Sequence, residues 1–309
     1  MTIRSLRPAD LTSVLIHKNP FSNYVRTKDC LEWDSSSGYF LLQLVRQWIF
    51  FRKQNYCWVW IEKNTVEGII SIRQRRGKSA WEVNMLLLSP DNERAGLYLL
   101  DSLGLVSSKL NIPRLFLRLP LDSPIMEFAR KTGFHHYAQE RLYGYTGTKA
   151  GGWLADSAGG LNIQRQHAKS DFTMFQVYSR AIPASVREME GLTLDEWTAS
   201  RERVRGQRVH LCEKEGTVVA WFSCAATSKY ALLEEVDALQ DERHIEWIVS
   251  SGFSCLPRRE RTFFLVFNFQ DRLCAFLENN GFNPLTEFSV LAREQRVRVK
   301  QPNMVPVRL

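Results

Sequence analysis

The side chains able to do chemistry are few and scattered. Six cysteines, at 30, 57, 212, 224, 255 and 274, form no CxxC pair and no Cys/His cluster at metal-ligand spacing. That usage fits reduced thiols in a cytoplasmic protein and gives no reason to expect a metal. His135 and His136 are neighbours on an expected strand, so their rings face opposite sides and cannot share an ion. The run Arg73-Gln74-Arg75-Arg76-Gly77-Lys78 could contact phosphates or an acidic partner, or stand as a solvated hairpin tip. Tyr137 and Tyr143 carry hydroxyls that could move a proton, but packing within a strand would account for both. No nucleic-acid-binding motif accompanies these residues. Trp48, Trp58, Trp60, Trp81, Trp197 and Trp221 fall in expected elements and read as core, not as a base-stacking platform.

The net charge of +8 is unevenly placed. Residues 1–150 hold 21 Lys/Arg against 13 Asp/Glu, whereas residues 151–309 hold 20 of each. A basic first half could steer a polyanion towards itself, or simply keep the surface hydrated. The opening MTIRSLRPAD has no apolar core of a secretory signal. The apolar stretch from Tyr39 to Phe51 is interrupted by Gln43, Arg46 and Gln47 and is too short to span a bilayer. A cytoplasmic protein, with no membrane partner, is the expectation.

The elements that would position these residues occur twice. Leu115 to Leu119 reads as a buried strand, a helical segment runs through Phe128-Ala129-Arg130, and Gly133-Phe134 opens a second apolar strand. Phe263 to Phe267, Phe276-Leu277-Glu278 and Gly281-Phe282 repeat that order. Phe116 falls on Phe264, Phe128 on Phe276 and Gly133-Phe134 on Gly281-Phe282, all at an offset of 148 residues. A period that long is no solenoid and implies two tandem copies of one fold, which 309 residues accommodate.

Upstream of the repeated unit the first half offers a short strand at Ile3–Arg7 and a helix from Pro8 to about His17. A second helix follows over Gly38–Arg52, then strands at Tyr56–Glu62, Val66–Gln74 and Trp81–Leu88, and a helix over Asn92–Leu110. Lys63-Asn64 and Arg76-Gly77-Lys78 are the expected turns. The glycines at 147, 151, 152, 159 and 160 mark a linker. The second half then repeats the order. A strand spans Leu161–Arg165, and a helix capped by Ser170-Asp171 carries Phe172, Phe175, Val177 and Tyr178. Two short helices are punctuated by Pro183 and Gly191. Strands at Arg208–Glu213, Val218–Cys224 and Tyr230–Val236 follow, with a helix at Asp241–Ser250.

Each half therefore reads β, two α, three β, α, β, α, β. With the Gly-Phe pair at the start of the last strand, this order resembles the GCN5-related N-acetyltransferase (GNAT) fold, in two tandem copies over nearly the whole chain. The opening Ile3-Arg4 with Arg7-Pro8-Ala9-Asp10 is similar to the family's usual start. The resemblance implies an α/β class with a mixed α+β sheet in each copy. The first domain would span 1–147 and the second 161–295, joined by a linker at 148–160 and followed by a basic tail at 296–309. It implies acetyl transfer from acetyl-CoA to an amine of unspecified identity, carried by the first domain. The alternative is a non-catalytic scaffold or small-molecule-binding protein on the same fold.

The resemblance also implies where the chemistry would sit. The backbone of Leu86, Leu87 and Leu88 and the amides of Arg94, Ala95 and Gly96 would hold the cofactor, at a helix N-terminus that favours phosphate. Glu82 would be the base for the incoming amine, with Glu234 or Glu235 at the related place in the second half. The stretch from Ser89 to Leu100 keeps a proline, an arginine, one glycine and the leucine pair of the family signature. It is about two residues short and carries Asp91 and Glu93, which repel phosphate. The related stretch from Ala238 to His244 has no glycine. The position of the family's proton-donating tyrosine is occupied by Ala129 in one copy and Leu277 in the other, and neither can transfer a proton.

Overall fold

The computed structural model describes residues 2–16, 21–31, 55–90, 92–145, 161–165, 171–202, 204–226, 231–237, 242–256 and 261–295. The expected helix at 38–52, the linker at 148–160, the tail at 296–309 and the loop at 238–241 lie outside them. Their strands are β1 (Thr2–Ser5), β2 (Ser22–Asn23), β3 (Asn55–Glu62), β4 (Thr65–Gln74), β5 (Ala80–Leu88), β6 (Arg114–Pro120) and β7 (His135–Tyr145) in the first half. The second half supplies β8 (Leu161–Arg165), β9 (Arg208–Lys214), β10 (Thr217–Ala226), β11 (Ala231–Asp237), β12 (Thr262–Phe267) and β13 (Asn283–Glu294). The helices are α1 (Pro8–Ile16), α2 (Ala95–Lys109), α3 (Met126–Lys131), α4 (Asp171–Ala181), α5 (Ala184–Glu190), α6 (Leu194–Ser200), α7 (Glu242–Cys255) and α8 (Asp271–Asn279). No described helix is long and apolar enough to cross a membrane.

The turns follow from local chemistry. Lys63 and Asn64 adopt positive φ of 48° and 65°, and Glu215 and Gly216 take 49° and 79°. Both pairs close a two-residue hairpin whose twist suits the flanking strands. Gly133 (φ 85°) and Gly281 (φ 81°) turn the chain out of α3 and α8. The phenylalanine after each, Phe134 or Phe282, drops into the core with at most 2% of its surface exposed. The sequence repeat is thus a repeat of backbone conformation.

The halves share one sheet. Its order is β1-β3-β4-β5-β6-β13-β7-β12-β11-β10-β9-β8, with β2 added to β5. The 148-residue offset carries β6 onto β12 and β7 onto β13, so this order reads the same from either end. The last strands have changed places: β13 pairs antiparallel with β6 of the first half, and β7 pairs antiparallel with β12 of the second. Without β13 the far side of β6 would be an unpaired edge, and without β7 that of β12 would be. Exchanging the last strands covers both edges and joins the halves along the β7–β13 pair, from Asn283 opposite Gly144 to Ala292 opposite His135. Helices flank both faces. One first-half core sits under α2 around Leu86, Leu100, Leu117 and Phe134, and another under α1 around Val14, Ile69 and Leu87. In the second half Phe222, Val249, Phe264 and Phe282 pack under α7 and α8, and Met174, Tyr178 and Trp197 under α4–α6.

Two irregularities position the site. In both halves the parallel pair parts after three residues: β5 meets β6 only from Ala80–Arg114 to Glu82–Phe116, and β11 meets β12 only from Ala231–Thr262 to Leu233–Phe264. On β7, Ala138 lies opposite Val290 and His136 opposite Leu291, which leaves Tyr137 as the extra residue of a bulge. A bulge re-aims its side chain. The same offset places Leu285 at the matching bulge on β13.

Candidate functional site

The chain collects its charges where the halves meet. Arg118 lies between buried Leu117 and Leu119 on β6, and Glu140 between buried Ala138 and Leu142 on β7. A charge in such a place must find a partner. Arg118 Nε donates to Glu140 Oε2 at 2.6 Å, and its Nη1 lies 3.0 Å from Glu202 Oε2. Glu202, just beyond α6, also accepts the Lys28 backbone N–H at 2.7 Å and an Arg73 N–H at 3.2 Å on its other oxygen. Arg73 further pairs with Asp29 at 2.5 Å and with Glu82, while Lys28 pairs with Glu234 on β11. Four cations (Lys28, Arg73, Arg75, Arg118) thus face five carboxylates (Asp29, Glu82, Glu140, Glu202, Glu234). Burial alone would raise the Glu202 pKa, but Arg118, Lys28, Arg73 and Arg75 hold it well below the usual carboxylate range.

The basic run therefore pairs with carboxylates of its own chain, Asp29 and Glu82 of the first half and Glu202 of the second, and it docks on the second half through further hydrogen bonds. Arg75 donates to Ser200 O at 2.7 Å and stacks its guanidinium 3.8 Å from the centre of the Phe116 ring. Arg76 N–H donates to Arg201 O, and Gly77 N–H to Ala199 O, both at 3.1 Å. A Cβ on residue 77 would lie 2.7 Å from Ala199 Cα, so only glycine allows this approach. A solvated hairpin tip is excluded at Arg73 and Arg75.

Beside the network lies a cavity of about 90 Å³, on the second-half side. Tyr178 of α4, Glu190 of α5, Trp197 of α6, Trp221 of β10, Glu234 of β11 and Leu265 of β12 line it, together with Tyr137 from the β7 bulge and Lys28, Arg75 and Arg118 from the first half. Strand exchange is what brings Tyr137 and Glu140 to this wall. The short helices are held locally: Thr193 Oγ1 accepts from Glu196 N–H, and the Glu196 carboxylate accepts the Thr193 N–H, a capping box that starts α6. Within the cavity wall, Glu190 accepts hydrogen bonds from Tyr178 at 2.8 Å and Tyr137 at 3.3 Å. Burial pushes the Glu190 pKa up, against the pull of the Tyr178 hydrogen bond and of Arg75 and Lys28. Burial likewise pushes the Tyr178 phenol up, reinforced by Glu190, and brings Arg201 down to about 10 with help from Arg76. A carboxyl poised between two phenols, bounded by aromatic rings, can bind a small polar molecule and can exchange a proton with it.

The residues expected to hold acetyl-CoA in the first half are arranged differently. Glu82 is 3% exposed, with Arg73 on one oxygen and Arg75 on the other at 3.1 Å. Leu86, Leu87 and Leu88 are buried on β5, beyond the point where β6 departs. Their groups are already engaged: Asn23 Oδ1 accepts the Leu86 N–H at 3.0 Å, Leu86 O accepts the Tyr24 N–H at 3.0 Å, and Ser22 pairs with Leu88. At the start of α2 the N–H groups of Ala95, Gly96 and Leu97 donate to the carbonyls of Asn92, Glu93 and Arg94. Gly96 makes room for Leu88, whose Cδ1 would lie 3.0 Å from a Cβ there. Burial, reinforced by Glu93, which accepts the Tyr24 hydroxyl at 2.8 Å, lifts that phenol to about 12. Arg94 is exposed. With its amides turned inward and a carboxylate in the loop, this site does not fit the phosphates and pantetheine arm of acetyl-CoA.

Ala129 and Leu277 are fully buried core residues. Tyr143 donates to Glu278 at 2.8 Å, and His136 shares a 2.7 Å hydrogen bond with Ser289. Among the described residues no group of three His, Cys, Asp or Glu could hold a metal, and all six cysteines are free thiols. Lys28, Glu140, Glu190 and Glu202 were not singled out by sequence. For Glu140 a signal existed, a charge on the apolar face of a strand.

Comparison with solved structures gives the fold its name. A GCN5-related N-acetyltransferase from Sphaerobacter thermophilus superimposes with a TM-score of 0.56 at 11% identity, over 97% of either chain. A tandem GNAT protein from the clavulanic acid biosynthesis pathway superimposes with a TM-score of 0.54 at 16% identity, over 95% of this chain and 98% of that one. The chain has the tandem GNAT fold. Neither a protein-family model nor a curated protein matches the sequence.

Proposed function

We propose that this is a small-molecule-binding protein on a tandem GNAT fold, with its ligand site in the cavity at the junction of the halves. The observation that carries the reading is the composition of that cavity wall. Glu190 is bonded by two phenols, one from each half, Trp197 and Trp221 come from the second half, and Lys28, Arg75 and Arg118 come from the first. A site of about 90 Å³ has room for roughly half a dozen water-sized groups, which suits a small polar molecule and is far too little for a coenzyme. The domain limits of 1–147 and 161–295 remain our division of the sequence, with the site shared between them.

A second reading has one observation in its favour. Glu234 and Leu265 lie on the cavity wall immediately beyond the last β11–β12 pair, where the second half opens. Acyl transfer to an amine in this cavity would then belong to the second half, not the first.

Isothermal titration of acetyl-CoA into wild type and Arg94→Glu separates these from transfer by the first half. We expect no saturable heat that depends on Arg94. A thermal-shift screen of amino acids, small amines and carboxylates tests the cavity, with Glu190→Gln as control. A ligand at a hundredfold its Kd stabilises by about 2.7 kcal/mol, which for a chain of this size raises Tm by roughly 4 °C. That rise should vanish in Glu190→Gln. Micromolar acetyl-CoA binding lost in Arg94→Glu would overturn the proposal.

A further inference from the structure

The mismatch between the first half and acetyl-CoA has a specific physical form. Beyond Glu82–Phe116, where β5 and β6 part, the gap is bridged by residues 22–26 of the same chain. On one side Ser22 and Asn23 pair antiparallel with Leu88 and Leu87, and Tyr24 N–H donates to Leu86 O. On the other, Arg26 N–H donates to Arg118 O at 3.0 Å. Between these anchors Val25 is fully buried among Leu86, Leu88, Leu117 and Leu119. Asn23 locks the segment from within: its Oδ1 accepts from Leu86 N–H and from Val25 N–H, and its Nδ2 donates to Val25 O at 3.0 Å.

From this geometry we infer that residues Ser22–Arg26 are a built-in occupant of the first half's cofactor groove, and that seating them there delivers Lys28 to the cavity of the second half. The segment uses the same backbone groups of Leu86–Leu88 that an extended ligand arm would use, and satisfies them by adding a strand. Two residues further on, the chain turns tightly, with Thr27 and Cys30 bonded to each other through both backbone groups. At that turn the Lys28 N–H reaches Glu202, its ammonium pairs with Glu234, and Asp29 pairs with Arg73. A groove on one half thereby fixes a cation on the wall of the other. The first half is an anchoring domain, and Lys28 is a positioning residue for the junction cavity. This inference stands apart from the proposed ligand site, which the thermal-shift screen tests separately.

Hydrogen-exchange mass spectrometry on the full chain tests it, with acetyl-CoA as the probe. In wild type the amides of Tyr24, Arg26, Leu86 and Lys28 should exchange slowly, and millimolar acetyl-CoA should leave them unchanged. Asn23→Ala removes the acceptor of the Leu86 and Val25 amides, and exchange at 22–26 and at Leu86 should accelerate roughly tenfold or more. The acceleration should extend to the Lys28 amide. Slower exchange at Leu86–Leu88 with faster exchange at 22–26 on adding acetyl-CoA would overturn the inference, because the segment would then be displaced by the cofactor. Faster exchange at 22–26 in Asn23→Ala without any change at Lys28 would overturn the anchoring. The wild-type arm decides the occupancy even where Asn23→Ala does not fold.

Discussion

Replacing Glu202 by glutamine tests whether the junction network is held by geometry or by overall charge. By count, the cluster of four cations and five carboxylates comes closer to neutral when one carboxylate is lost, so a charge tally predicts a tolerated change. The geometry predicts the opposite. One Glu202 oxygen accepts from the Lys28 N–H and Arg73, and the other faces Arg118 at 3.0 Å. Glutamine has one oxygen for these two tasks, so its NH2 must confront a donor in either orientation. Removing one member of a buried ion pair costs about 3–5 kcal/mol. With an unfolding entropy of about 2.1 cal/mol/K per residue over a chain of this length, a loss of about 4 kcal/mol lowers Tm by roughly 6 °C.

Urea unfolding of wild type and Glu202→Gln across pH supplies the sharper form of the test. The Glu202 carboxyl in the folded protein sits below its ordinary value of 4.5. Its contribution is complete above that value and is lost as pH falls through the folded one. The gap between the proteins should therefore be constant from pH 6 to 8 and narrow on acidification below about pH 4.5. Equal stability at neutral pH, or a gap that widens in acid, would refute the geometric account.

Two further changes probe the fold itself. Gly77→Ala places a methyl against the Ala199 backbone and should destabilise by about 1–3 kcal/mol, read as a lower urea midpoint. Gly281→Ala meets nothing within 4 Å, so its cost should be the backbone strain of φ +81° alone, about 1 kcal/mol; a loss of several kcal/mol would show that the turn bears a contact.

How much of this was legible in the sequence depends on the range of the interaction involved. Strand limits, hairpin turns and the Gly-Phe landmarks are local, and Lys63-Asn64 or Gly281 announce themselves because few residues tolerate positive φ. The tandem repeat was legible for the same reason, since each copy solves the same local problem. What stayed hidden was pairing at a distance. The apolar pattern of β7 suits either β6 or β12 as neighbour, and that of β13 does too, so alternation alone cannot say that the last strands exchange. Isolated charges carry the missing information in latent form. Arg118 in Leu117-Arg118-Leu119 and Glu140 between Ala138 and Leu142 each demand a buried partner, and they meet across β13, two strand spacings or roughly 10 Å of sheet. Read as a pair, they require β6 and β7 to lie on the same wall. Arg73, Arg75 and Glu82 make the same demand and receive Asp29 and Glu202 from distant parts of the chain. Glu82 is less legible: its same-face neighbours Ala80 and Asn84 do not mark it as buried, and it is the pairing with Arg73 and Arg75, on the adjoining strand and just beyond it, that encloses it.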